Sequence, residues 1–145
     1  EPRSGHPEPR SGHPEPRSGP FPYWDEVPGV AGVTRVRDLT PPGFDSGTPD
    51  GAPLLPLLPP GGGEMVTWDL ALPGGEGCVC TLRTSGTEPK VKFYVEVNGV
   101  PGQGAAEVAA LSRATARALV GEMLQPEVHG LDIPSLAGDE EGAAA

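Results

Sequence analysis

Proline and glycine set the outer limit on what this chain can fold into. Each proline removes a backbone donor, and each glycine loses more conformational freedom on ordering than any other residue. There are 20 prolines and 22 glycines among 145 residues. They crowd into the first twenty positions and into Pro41–Gly63, whereas Glu64–Leu124 reads as ordinary globular sequence. Composition of this kind marks extensive unstructured chain, so one domain well short of the full length is expected.

Residues 1–19 read EPRSGHP twice and then EPRSG. The seven-residue period matches that of a coiled coil, but each full unit holds two prolines, a glycine and no aliphatic residue. No heptad helix can form from it. Extended, solvated chain, disordered over residues 1–22, is the expectation. Glu1, Glu8 and Glu15 offset Arg3, Arg10 and Arg17, so the repeat builds no cationic patch.

Order begins with the alternating stretch Val33–Arg37, the first expected strand. From Gly43 to Gly63 the turn formers predict loop. In Met65–Leu70, the side chains of Val66, Trp68 and Leu70 share one face, and the turn Pro73–Gly77 leads into Cys78–Leu82. That combination predicts a β-hairpin. Val91, Phe93, Val95 and Val97 alternate with Lys92, Tyr94 and Glu96 in the strongest strand pattern of the chain. The alanine-rich segment Ala105–Leu124 places Val108, Leu111, Thr115, Leu119 and Met123 on one helical stripe. Periodicity is lost beyond Gln125-Pro126, and residues 134–145 read as a disordered acidic and alanine tail. The fold class expected is α+β, a small antiparallel sheet with a C-terminal helix packed on one face.

Bulk charge excludes one class of partner. The formal net charge is −10, and general affinity for nucleic acid comes from Lys and Arg displacing counterions, so nucleic acid is not an expected partner. No run of about 18 apolar residues is present to span a bilayer, and the N-terminus has no signal-peptide pattern. A cytoplasmic chain without membrane partners is the expectation. Cys78 and Cys80 are too few for a disulfide scaffold or a four-cysteine zinc site. Their spacing puts both thiols on one face of a strand, where buried reduced cysteine is expected.

Against the acidic whole, residues 83–92 carry Arg83, Lys90 and Lys92 with only Glu88 to oppose them. The segment Arg83-Thr84-Ser85-Gly86-Thr87-Glu88-Pro89-Lys90 lies between two expected strands and holds the parts of an anion site. Arg83 offers a planar fork for two oxygens, and Ser85 and Thr87 offer hydroxyls. Gly86 allows a tight turn that points amides at a bound oxygen. Ser, Gly, Thr and Pro are also the usual turn formers, so composition alone leaves an ordinary β-connection open as well.

Identity adds what composition cannot. Arg83-Thr84-Ser85-Gly86-Thr87-Glu88-Pro89-Lys90-Val91-Lys92-Phe93-Tyr94 is similar to the C-terminal signature of the α-D-phosphohexomutases, in particular the branch that holds phosphopentomutase and glucose-1,6-bisphosphate synthase. Val36-Arg37-Asp38-Leu39-Thr40, Gly43-Phe44-Asp45-Ser46, Thr48-Pro49-Asp50, Leu55-Pro56, Glu64-Met65-Val66-Thr67 and Leu124-Gln125-Pro126 resemble successive landmarks of that branch, so the likeness extends over residues 23–133. It implies the family's fourth domain, whose fold is of the kind seen in TATA-binding proteins, an antiparallel sheet with helices on one side. It also implies that Arg83, Ser85, Gly86 and Thr87 contact the phosphate that is not being transferred, with Lys90 and Lys92 as supporting charges.

By the same resemblance, the transferring serine, the aspartate-rich loop for Mg²⁺ and the sugar-recognition loop lie upstream in full-length members. No serine here has the matching context and no aspartate cluster resembles the metal loop. No catalytic residue, metal ligand or cofactor is therefore expected in this chain, and the missing catalytic domains would have to act in cis. The family domain also opens with a helix before the Val33 strand, where this chain has its prolyl repeat, so one sheet face should be partly uncovered and the domain marginal. Two readings follow. The chain is a fragment or truncated product that keeps only the binding of a hexose or pentose phosphate, or it is a non-catalytic interaction module that docks through the uncovered face.

Overall fold

The computed structural model describes residues 22–134. The expected repeat and tail fall outside those residues, apart from Pro22 and Pro134. The described chain runs β1 (Glu26–Val27), β2 (Ala31–Asp38), β3 (Phe44–Asp45), β4 (Met65–Ala71), β5 (Gly77–Thr84), β6 (Val91–Asn98), α1 (Ala105–Leu124) and α2 (Pro126–His129). The strand order is β1-β2-β4-β5-β6, with β3 paired to β2, and every pairing is antiparallel. This is the expected α+β class.

Alternation places one side chain of each pair in the core. Val36 faces Trp68, Trp68 faces Cys80, and Cys80 faces Val95, which makes one apolar row across four strands. Leu70, Cys78 and Val97 form a second row, and Val66, Leu82 and Phe93 a third. Trp68 is fully buried, and its indole Nε1–H donates to the Pro22 carbonyl at 2.7 Å, which satisfies the one polar atom of the ring. Helix α1 lies over this face against β6 and reaches β1. Its buried residues are Thr115, Ala116, Leu119, Val120 and Met123, so the expected stripe is correct from Thr115 onward and broadened by two neighbours.

The hairpin between β4 and β5 closes as expected. Leu72 N–H donates to Glu76 O at 2.9 Å, and Gly75 takes a φ of +93° that a side chain would resist. Cys78 and Cys80 are buried free thiols, and desolvation pushes their ionisation up to about 11 and about 12. Both stay protonated and behave as small apolar groups.

One expectation needs correction. The 43–63 loop contains β3, held because Ser46 N–H donates to Val36 O at 2.9 Å while Val36 N–H donates to Ser46 Oγ at 2.8 Å. Part of the cover on the core face comes from the segment before β2. Among the described residues no helix precedes β2, yet Trp24 and Val27 turn inward from the segment before it and join the core beside Ala31. Val66 and Phe93, at the other end of the same face, remain only half-buried. The opposite face is polar, with Arg37, Thr67, Thr81 and Tyr94 in one row and Arg35, Asp69, Val79 and Glu96 in the next.

Candidate functional site

The residues singled out at 83–92 sit at one end of the β5–β6 hairpin. The root of the loop is tied to the chain that enters β4: Thr84 N–H donates to Glu64 O at 2.9 Å, and Glu64 N–H donates to Thr84 Oγ1 at 2.7 Å. Within the loop, Ser85 N–H donates to Lys90 O at 3.0 Å, and Lys90 N–H donates to Glu88 O at 2.8 Å. Ser85 Oγ accepts from Thr87 N–H at 3.3 Å and from Glu88 N–H at 3.2 Å, and it lies 3.5 Å from Thr87 Oγ1. The serine hydroxyl thus organises the loop, and two of the amides that an anion could have used point at it.

Gly86 has a role that the sequence did not show. Its φ is not positive. A Cβ there would lie 2.9 Å from the carbonyl oxygen of Gly61, well inside van der Waals contact. Gly63 is held in the same way, with φ +82° and a hypothetical Cβ 2.7 Å from the Thr84 carbonyl. The absent side chains let the 61–63 loop pack flat against residues 84–86. Gly86 therefore serves close approach between two loops, at a bend of the chain.

Charge is concentrated at the root. Arg83 and Lys92 are direct cross-strand partners, and both are exposed on the polar face. Like charges facing each other across a ladder destabilise it. Among the described residues neither is in an ion pair, whereas Lys90 is paired with Glu88. The structure therefore brings Arg83 and Lys92 together at the root of the loop that carries Ser85 and Thr87, and it pairs Lys90 with Glu88.

The sequence did not point to the other wall. A groove of about 1020 Å³ runs from Thr84, Ser85 and residues 88–94 to Leu124 and the segment after α2, with Leu131 and Ile133 on the far side; Arg83, Gly86 and Thr87 do not line it. That segment is brought back by Gly130, whose φ is +65°, and by Leu131 N–H donating to Pro126 O at 2.9 Å. The signal was a glycine just beyond a proline-initiated turn, which closes a helix end.

The remaining polar clusters are structural. Asp45 accepts from Arg35 Nε at 2.8 Å and Nη2 at 2.7 Å, and from Gly47 N–H at 2.8 Å. Asp38 accepts from Tyr23 OH and Thr40 N–H, both at 2.9 Å, and burial together with that carboxylate pushes the Tyr23 phenol up to about 12. Asp69 is bonded to Arg37. Each carboxylate is engaged separately, and among the described residues no three His, Cys, Asp or Glu side chains converge. These groups do not fit the Mg²⁺ implied for the full-length family. Nor, among the described residues, is any helix long and apolar enough to cross a membrane.

Sheet, helix and loop together define an α+β domain with two facing cations at the root of a hairpin loop, neither in an ion pair among the described residues. The chain is 38% identical over 106 residues to glucose 1,6-bisphosphate synthase of Homo sapiens, a match that covers 71% of this chain and 16% of that protein. It is 37% identical over 102 residues to a probable phosphoribomutase of Schizosaccharomyces pombe, covering 70% of this chain and 16% of the relative. To phosphopentomutase of Homo sapiens it is 41% identical over 70 residues, covering 48% and 10%. Over the shared stretch the chain is related to the phosphohexomutase family, and it spans about 16% of the length of the first of these relatives. No family model and no solved structure matches it.

Proposed function

We propose that this chain is the phosphate-holding C-terminal domain of a phosphohexomutase, and that it grips the phosphate of a hexose or pentose phosphate that is not being transferred. The observation that carries this reading is the pairing of Arg83 with Lys92 across β5 and β6, neither of them in an ion pair among the described residues. A dianionic phosphate seated there relieves a repulsion built into the free domain. The Arg83 fork takes two phosphate oxygens, Lys92 adds a point charge, and Ser85 and Thr87 donate hydroxyl protons. Gly86 keeps the loop seated on residues 61–63, and Lys90, bound to Glu88, supports the loop rather than the ligand.

Transfer itself is not assigned to these residues. They hold, and the serine and metal chemistry implied for full-length relatives requires groups outside this loop. An isolated loop without the clamp of other domains binds weakly. Titration of glucose 1-phosphate against the ¹⁵N-labelled chain should shift amides between residues 83 and 92, and the response should weaken with salt. Arg83→Ala should weaken binding by about tenfold or more, because hydrogen bonds to charged groups are worth roughly 1.5–3 kcal/mol. Absence of any loop response in the wild type overturns the reading.

A further inference from the structure

The two edges of the sheet are unlike. One ends in β1, a strand of only 2 residues, and short edge strands offer little to pair with. The other is β6, with 8 residues, no proline and no described strand on its outer side. An edge of that length presents a row of unpaired backbone donors and acceptors. It opens onto the groove already described, which Lys90–Tyr94 line from the strand side.

The side chains of β6 specify what can pair with it. Lys92, Tyr94 and Glu96 point to the polar face, and Phe93, Val95 and Val97 to the core face. When β6 meets a second β6 antiparallel about a two-fold axis at Tyr94, Lys92 of each strand stands opposite Glu96 of the other. Tyr94 meets its own copy, Phe93 meets Val95, and Val91 meets Val97. Polar residues face polar and apolar face apolar, as the pleat requires. In the dimer Glu96 of the other copy offsets Lys92, which leaves the Arg83 fork as the uncompensated cation of the loop; within the described residues of one copy neither Lys92 nor Glu96 has an ion-pair partner. Val91 and Tyr94, 39% and 57% exposed in the single chain, would be covered. A lysine on an edge strand ordinarily blocks pairing, but in this register it meets a carboxylate.

We propose that β6 is a self-association edge, and that two copies of the chain join through it into one continuous antiparallel sheet with a two-fold axis at Tyr94. The contact is isologous, so it closes on itself and stops at two copies. Arg83, on the inner neighbour β5, stays clear of the partner strand.

Charge reversal tests the proposal without disturbing the core, because both charges are exposed. Sedimentation equilibrium of the full chain should give twice the 14.9 kDa of one copy. Lys92→Glu and Glu96→Lys each turn two attractive pairs into repulsive ones and should raise the dimer dissociation constant by about tenfold. The double variant Lys92→Glu/Glu96→Lys recreates both pairs with exchanged sign and should return to within about threefold of wild type. Tyr94→Cys should cross-link the dimer under mild oxidation, since directly opposed cross-strand residues sit at disulfide range. A wild-type monomer, a dimer indifferent to both single reversals, or failure of the double variant to restore association overturns the proposal.

Discussion

Arg35 and Asp45 join β2 to the loop that carries β3, and their chemistry makes the fold sensitive to acid. The Arg35 guanidinium holds the Asp45 carboxyl below the usual carboxylate range, against the opposing effect of burial, with Gly47 N–H helping. In the unfolded chain the carboxyl takes up a proton at about pH 3.9, and in the folded chain it does so at lower pH. Between those values the unfolded state binds more protons, so stability rises with pH. The contribution is present in full above the unfolded value and is lost as pH falls through the folded one. Asp45→Asn removes the carboxylate while keeping its shape. Its urea midpoint should lie below that of wild type at about pH 7, and the gap should narrow towards about pH 3. A gap that is constant across that range would mean that the ion pair does not carry the difference.

At the level of elements, α1 ends under strain. Its C-cap, Gln125, has φ 44° and ψ 59°, a left-handed conformation that costs a residue with a Cβ about 1–2 kcal/mol. Pro126 follows at once, and it cannot continue the helix. Gln125→Gly should therefore raise the unfolding free energy by about 1 kcal/mol, read as a higher urea midpoint with unchanged slope. An unchanged or lower midpoint would show that the Gln125 side chain offsets the strain. The helix and the strands β4, β5 and β6 were legible because their apolar positions recur at a regular spacing, whereas β2 was legible only over Val33–Arg37, since its register shifts between Val33 and Arg35. β3 was not, because two residues in a proline-rich loop carry no period, and what fixes them is Arg35 and Ser46 across the chain. At the site, Arg83 and Lys92 were legible as charges, but their direct opposition depends on the β5–β6 register. The reason for Gly86 lies in the carbonyl of Gly61, 25 positions away in sequence, which no local pattern reports.

For the whole molecule, the question is what covers the core face at the β1–β2 end. A domain of this size buries a modest fraction of its surface, and domains are generally stable by only about 5–15 kcal/mol. Cover at the β1–β2 end depends on a short segment without helical structure. Within it Trp24 is 8% exposed and Val27 1%, and the Pro22 carbonyl accepts the proton of the buried Trp68 indole. Truncation of a buried tryptophan to alanine costs about 3–5 kcal/mol, the lost transfer energy plus the cavity left behind. Trp24→Ala should therefore remove roughly a fifth or more of the stability and lower the urea midpoint steeply, although the residue precedes every long strand. Leu54→Ala provides the comparison, because Leu54 is 71% exposed and its loss should change stability by less than about 0.5 kcal/mol. If the two variants unfold together, the segment before β2 is not part of the cooperative core. A Trp24→Ala midpoint well below that of Leu54→Ala places the cover on Trp24, and the segment before β2 then belongs to the cooperative core.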